Sequence, residues 1–323
     1  MQLLSCDLWL MERKIVRSLA ALVANIGAIA KLPEPKTEGV LIEQVAASAA
    51  AAKRPKMIAS IPVSGALECR PTEMGAWLGM SSYEVIGKVF DHFMADDSIS
   101  GIILDVSSPG GMVYGAPELA NKIFDSRGKK PIVAIANPLM ASGAYWIAAA
   151  ADHIVATKSA DVGSVGVIVE HVDMSKAYEK QGATVTEIKS AVSPYKGEFS
   201  DAGPLTEEAR QNLQSRTDEI AANFVGDLSR FRGVSAAHVA EHFGQGRVVN
   251  AKSAIGKGMA DKVMTFDAIV GRMAAGRVPM RSERALMDDV ELTAERERIR
   301  ENLRERAKSI MAVAEQEIGD AHA

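Results

Sequence analysis

Between Met57 and Met273 the chain alternates short β-branched apolar runs with longer segments whose apolar residues recur every three or four positions. Runs of the first kind predict strands, and segments of the second kind predict helices lying on a sheet. Met57–Leu67 reads as the first strand, with Pro62 marking an edge or a bulge. Val85, Ile86, Val89, Phe90 and Phe93 give a helix over Ser82–Ala95. Gly101–Val106 is the next strand, followed by the turn Ser107-Ser108-Pro109-Gly110-Gly111 and a helix over Ala116–Ser126. Pro131–Ala136 repeats the plan, leading through Met-Ala-Ser-Gly-Ala, with Ser142 at its centre, into an Ala-rich helix. Short strands over His153–Ala156 and Val165–Val172 flank a Gly163-Ser164-Val165-Gly166 turn, and a helix over Met174–Lys180 and a strand over Thr184–Lys189 follow. Residues 190–204 have loop composition. Leu205–Phe231 is a long amphipathic helix with Thr206 as N-cap and Glu207 and Glu208 in its first turn. Two shorter helices, Ser235–Phe243 and Asn250–Gly256, precede a last apolar piece, Lys262–Met273.

Strands that feed helices in this order predict an α/β fold with a mainly parallel sheet and chemistry at the strand ends, where backbone amides are free. The expected organisation is an N-terminal helix and Ala-rich connector over 1–55, a sheet domain over 56–275 and a charged helical tail over 276–323. Residues 1–36 read as one helix closed by Pro33 and Pro35, and residues 37–55 as a connector with a helical turn or two. In the tail, Ile299, Leu303, Ile310, Val313 and Ile318 keep helical spacing among Glu, Arg and Lys. The heptad is not sustained, so an amphipathic arm is expected, either solvated or binding a partner.

Composition narrows the function classes. The 323 residues are 47% hydrophobic and 24% charged, with a formal net charge of −4, which gives no basic surface for nucleic acid. Cys6 and Cys69 form no CxxC pair and the six histidines show no ligand spacing, so no metal and no cofactor is expected, in a reduced, cytoplasmic setting. The apolar stretch Leu19–Ala30 falls short of the ~20 residues that span a bilayer. Arg13, Lys14 and Arg17 precede it, but Asp7, Glu12 and the Lys31-Leu-Pro-Glu-Pro-Lys sequel break a signal-peptide pattern, and no membrane span is expected.

The candidate chemistry sits at two successive strand ends. Ser142, at a strand-to-helix turn, is a candidate nucleophile, and the turn brings the Gly143 amide beside it. The Pro109-Gly110-Gly111 turn offers further amides unhindered by side chains, suited to a developing oxyanion. A serine hydroxyl needs a base to remove its proton. His153, His171, Lys189 and Lys196 all lie in the right half of the chain, and the spacing does not choose among them.

The ordered set SSPGG, MASGAYWIAAAAD and ATKSADVGSVGV resembles the signal peptide peptidase A family of serine–lysine peptidases, across roughly Met57 to Met273. That family includes the capsid-maturation (prohead) proteases of tailed phages. The resemblance implies a Clp-protease/crotonase-like repeated β-β-α fold, a nucleophile at Ser142 and a lysine base in the Tyr195-Lys196 element. It also implies oxyanion donors at Gly110, Gly111 and Gly143, and a role for Ser164 in orienting the lysine. Lys189 matches a position that family does not use in catalysis. The segment between Ile188 and Lys196 is slightly longer than the family pattern. By the same resemblance, the substrates are peptides or proteins (capsid or scaffold proteins in a phage) and the chain forms a homo-oligomer that completes its sites between subunits. The phage branch, prohead-associated in an infected bacterium, fits better than the bacterial signal-peptide-peptidase branch, since there is one catalytic unit and a charged tail. Three rival readings stand beside it: an acyl-CoA enzyme of the crotonase type, a non-enzymatic capsid assembly protein, and a Ser-His protease using His171.

Overall fold

A computed structural model describes residues 57–280 throughout and, of the flanks, residues 9–11, 43–45, 297, 298, 301, 302 and 305. In chain order the strands are β1 (Trp9–Met11), β2 (Glu43–Val45), β3 (Met57–Glu68), β4 (Ser81–Ser82), β5 (Ile99–Met112), β6 (Ile132–Ala141), β7 (His153–Ala156), β8 (Asp161–Gly163), β9 (Val248–Asn250) and β10 (Lys262–Val263). The helices are α1 (Glu73–Trp77), α2 (Tyr83–Ala95), α3 (Ala116–Asp125), α4 (Gly143–Ala149), α5 (Ser175–Lys180), α6 (Glu207–Arg232), α7 (Ala236–His242), α8 (Ala251–Gly256) and α9 (Phe266–Ala274). The main path of the sheet runs β10-β7-β6-β5-β3-β2. From β10 to β3 every neighbour is parallel, whereas β2 pairs antiparallel with β3 at one edge. The mainly parallel α/β sheet expected from the alternation is therefore present.

Parallel strands buried on both faces read as continuous apolar runs, and the two faces here sort by alternation. Ile102 and Leu104 on β5, with Ile132, Ala134 and Ala136 on β6, face a large core. That core takes Ile86, Phe90 and Phe93 of α2, Ile123 of α3, Ala144 through Ala149 of α4, and Phe224, Leu228 and Phe231 of α6. Ile103, Val133 and Ile135 point the other way, onto Ile269, Val270 and Met273 of α9.

Helix α4, which Ser142 precedes, is buried at all seven positions. Its aromatic residues are tied by their polar ends. Trp146 stacks on Phe224 at 4.2 Å and donates its indole N–H to Asp227 at 3.0 Å, and the Tyr145 hydroxyl donates to the Met259 carbonyl at 3.0 Å. The orphan carbonyls at its C-terminal end are met by one guanidinium. Arg127 donates to the carbonyls of Ala149, Ala150 and Ala151 at 3.1, 2.8 and 2.7 Å, and to that of Phe231 at 3.2 Å.

Several elements differ from the sequence expectation. Residues 9–11 and 43–45 are strands, where one helix over 1–36 and helical turns over 37–55 were expected; the remainder of those stretches lies outside the described residues. Strand β5 does not stop at Val106 but runs through the SSPGG segment to Met112, with β3 still paired to Gly110 and Gly111. Instead of a strand over Val165–Val172, the sheet takes β8 just upstream, next to β6 and β9. Thr184–Lys189 is irregular and exposed rather than a strand. The five described tail positions are helical and exposed, and the rest of the expected arm beyond residue 280 lies outside the described residues.

Replacing Arg127 by Met leaves buried carbonyls at the end of α4 without donors. We expect a loss of about 2 kcal/mol of unfolding free energy, read from urea denaturation with an unchanged slope.

Candidate active site

The strands that carry the site end side by side. In the β5–β6 ladder Ser108 pairs with Met140, so two residues further along each strand stand Gly110 and Ser142. In the β6–β8 ladder Ala141 pairs with Gly163, which sets Ser142 beside Ser164. The Ser142 amide donates to the Gly163 carbonyl at 2.7 Å, and the Ser164 amide donates to the Arg247 carbonyl at 2.9 Å. Four of the sequence-predicted residues, Gly110, Ser142, Gly143 and Ser164, thus meet along one rim of the sheet.

Ser142 is held in an unusual conformation, with φ +55° and ψ −123°, a region L-residues avoid at a cost of order 1–3 kcal/mol. The turn is imposed from both sides, by the bond to Gly163 and by α4, whose Trp146 amide donates to the Ser142 carbonyl at 2.9 Å. Ser142 is 1% exposed, yet its hydroxyl does not cap the helix it precedes. A side chain on a sharp strand-to-helix turn, not committed to capping, suits a nucleophile. The same geometry frees the amide of Gly143, the first helical residue. Ser164 shares the left-handed φ of +55° and is 9% exposed.

Gly110 and Gly111 are required by two separate constraints. Gly110 has φ +95°. At Gly111 a Cβ would lie 1.9 Å from the Leu67 carbonyl oxygen, so the strands approach too closely for any side chain. The Gly110 amide donates to the Ser108 hydroxyl at 3.1 Å, and that hydroxyl donates to the Gly65 carbonyl at 2.6 Å. Ser108, fully buried, therefore fixes the glycine turn from beneath; its clue in the sequence is a hydroxyl two residues ahead of a glycine, the spacing of a side-chain-closed turn. Tyr83 adds a second brace, donating its hydroxyl to the Met112 carbonyl at 3.0 Å, and burial raises its pKa so that it stays a donor.

The candidate bases fall elsewhere. His153 opens β7, opposite Val133 near the start of β6 and so at the far end of the strand from Ser142, with its Nε2 2.8 Å from the Pro279 carbonyl. His171 has its Nε2 2.9 Å from the Gly203 carbonyl. Lys189 pairs with Glu187 at 3.3 Å. Lys196 is exposed and shares with Glu187, Lys189, Ser190 and Ser193 the wall of a hollow of about 390 Å³. The segment bearing Lys196 is moored to α5 and α6: Tyr195 hydrogen-bonds Glu208, Asn212 donates to Glu198 at 2.6 Å, and Tyr178 donates to Asp201 at 2.9 Å. Among the described residues no cluster of three or more His, Cys, Asp or Glu is placed to hold a metal, and no described helix is long and apolar enough to cross a membrane.

Residues 125–278 match the model of peptidase family S49. Capsid assembly protease C of Escherichia phage lambda is 32% identical over 232 residues, covering 68% of this chain and 52% of the relative. The head-tail preconnector protein GP5 of Enterobacteria phage P21 is 31% identical over 217 residues, covering 67% and 42%. The chain thus spans about half the length of the curated relatives it matches. Among solved structures, a ClpP1 variant from Listeria monocytogenes superposes with a TM-score of 0.38 at 11% identity, over 65% of this chain and 94% of that one.

Two outcomes test the geometry. Ser142→Gly relaxes a backbone that Ser142→Ala leaves strained, so the glycine variant should unfold at higher urea, by about 1 kcal/mol, while both lack the hydroxyl. Gly111→Ala should fold poorly or lose at least ~3 kcal/mol, because the added methyl meets backbone rather than a movable side chain.

Proposed function

Residues 125–278 are a peptidase family S49 domain, and from that premise we propose that the chain is a serine endopeptidase with Ser142 as nucleophile and Lys196 as base. The observation that carries the reading is the strained Ser142 turn set beside Gly110 on the adjoining strand. A peptide carbonyl placed there meets the hydroxyl from one side and the Gly143 amide from the other, while the Gly110 amide, expected as a second donor, is engaged by Ser108. Lys196 takes the Ser142 proton as the hydroxyl attacks, delivers it to the leaving amine, and then activates the water that cleaves the acyl ester. An amide aimed at the oxyanion is worth ~3 kcal/mol of barrier, and the buried start of α4 holds that of Gly143 in place without reorganisation. Ser164, next to Ser142 in the ladder, is the hydroxyl proposed to orient the lysine.

Lys196 is exposed, and the segment that bears it makes its contacts with α5 and α6. The loop that bears it also exposes large apolar side chains, with Ile188 at 95%, Val192 at 93%, and Tyr195 and Val185 more than half-exposed or nearly so. Apolar groups this exposed on an irregular segment mark a surface that packs against another molecule. A second copy of the chain is the proposed partner, its loop bringing Lys196 to the neighbour's Ser142. Phage head proteins are the proposed substrates, on the strength of the lambda and P21 relatives. A soluble, prohead-associated location in an infected bacterium goes with them.

Activity is read on fluorescently labelled casein and on a phage capsid–scaffold mixture. Ser142→Ala and Lys196→Ala should each lower the rate at least ~1,000-fold, in the range of lost nucleophile and general-base catalysis. Mixing the two inactive variants should restore part of the activity, since some neighbouring pairs then hold one intact serine and one intact lysine. Full activity in Lys196→Ala sinks the dyad, and a mixture that stays inactive sinks its sharing between copies.

A further inference from the structure

Strand β6 leaves the edge of β5 after the Ser108–Met140 pair, and the vacated edge is not empty. Residues 9–11 of the same chain lie along it as β1, antiparallel, with Trp9 opposite Met112, Leu10 opposite Gly111 and Met11 opposite Gly110. The segment adds a strand in the place that β6 gives up. Because β5 and β6 run parallel, Gly110 is the β1-paired residue nearest the end of β6, where Ser142 stands, and Gly111 and Met112 lie progressively farther from it. The carboxyl end of β1 therefore points at Ser142, and Met11 is its last residue.

We infer that the Gly110–Met112 edge is the substrate-strand site and that residues 9–11 occupy it as a substrate does, with the Met11–Glu12 peptide bond as the one presented to Ser142. This rests on the peptidase reading above and deepens it. Three features of the edge agree. Added strands are held by main-chain hydrogen bonds, which need no particular side chains. The edge is fixed in advance, by Ser108 beneath Gly110, by β3 behind Gly111 and by Tyr83 on the Met112 carbonyl. An antiparallel strand also delivers its residues in the order a protease needs, with the amino-terminal side along the glycine edge and the following bond beside the nucleophile. The substrate class is thus an extended segment that pairs with β5 antiparallel and ends at Ser142.

The chemistry balances without any added reagent but water. The Ser142 oxygen bonds to the Met11 carbonyl carbon as its proton passes to the base, the bond to the Glu12 nitrogen breaks, and that nitrogen takes the proton. Water then hydrolyses the ester, leaving a Met11 carboxylate, the Ser142 hydroxyl and a chain that begins at Glu12.

The test separates occupancy from cleavage. Full-length Ser142→Ala protein is compared with the same variant lacking residues 1–11, by hydrogen exchange at residues 110–112. A tethered strand sees an effective concentration on the order of a millimolar, so a modest strand affinity gives about tenfold slower exchange in the full-length protein. In parallel, intact mass and N-terminal sequencing of wild-type protein should find Glu12 at the new terminus, and Ser142→Ala should keep residue 1. Equal exchange with and without residues 1–11 overturns the assignment. So does a wild type that cleaves labelled casein in a Ser142-dependent manner but keeps its Met11–Glu12 bond, a result that leaves the peptidase reading intact. Protection without cleavage of either casein or the chain itself removes the peptidase reading and the scissile-bond assignment together.

Discussion

The hydrogen bond from the Ser142 amide to the Gly163 carbonyl fixes where everything else at the rim must go. It pins the end of β6 to the end of β8 and forces the chain to reverse into α4 with a positive φ. A strained residue persists only where its surroundings over-determine it. Here the surroundings are a helix that cannot shift, buried at every position, stacked through Trp146 and held at its far end by Arg127. The glycine turn on β5 is fixed in the same spirit, from beneath by Ser108 and from behind by Leu67. Two independently braced strand ends thus face a common point, which is the arrangement acyl transfer asks for.

Much of this was legible in the sequence, and the physical reason is burial. Strands β3, β5, β6 and β7 are covered on both faces, so their apolar runs are unbroken and their starting points stand out. Helices α2, α3 and α6 carry a one-sided apolar stripe for the same reason, and Thr206 caps α6 as its sequence position implies, accepting from the Ala209 amide. Ser142, Gly110 and Gly143 stand just past the ends of those runs, which is what makes them visible as candidates in the sequence.

Illegible features depended on partners distant in the chain. Pro109-Gly110-Gly111 has the composition of a turn, yet continues as strand, because Leu67 approaches closely enough to pair and Ser108 ties Gly110 down. Trp9–Met11 lies in a stretch with helical periodicity but is a strand where β6 leaves an edge open, a case of tertiary context overriding local pattern. The choice of Lys196 over Lys189 or the histidines came from resemblance alone, since an exposed loop lysine has no local signature. The structure gives His153 and His171 other neighbours, the carbonyls of Pro279 and Gly203.

The burial of α4 has a consequence for how such a protein diversifies. Gly143 through Ala149, and Ala150 and Ala151 after it, have no surface on which substitutions accumulate freely. Substitutions the fold tolerates must therefore collect elsewhere, as on the largely exposed 183–197 segment. Lineages descended from this chain can alter their surface while the segment after Ser142 stays frozen, much as a tool keeps its handle and changes its blade.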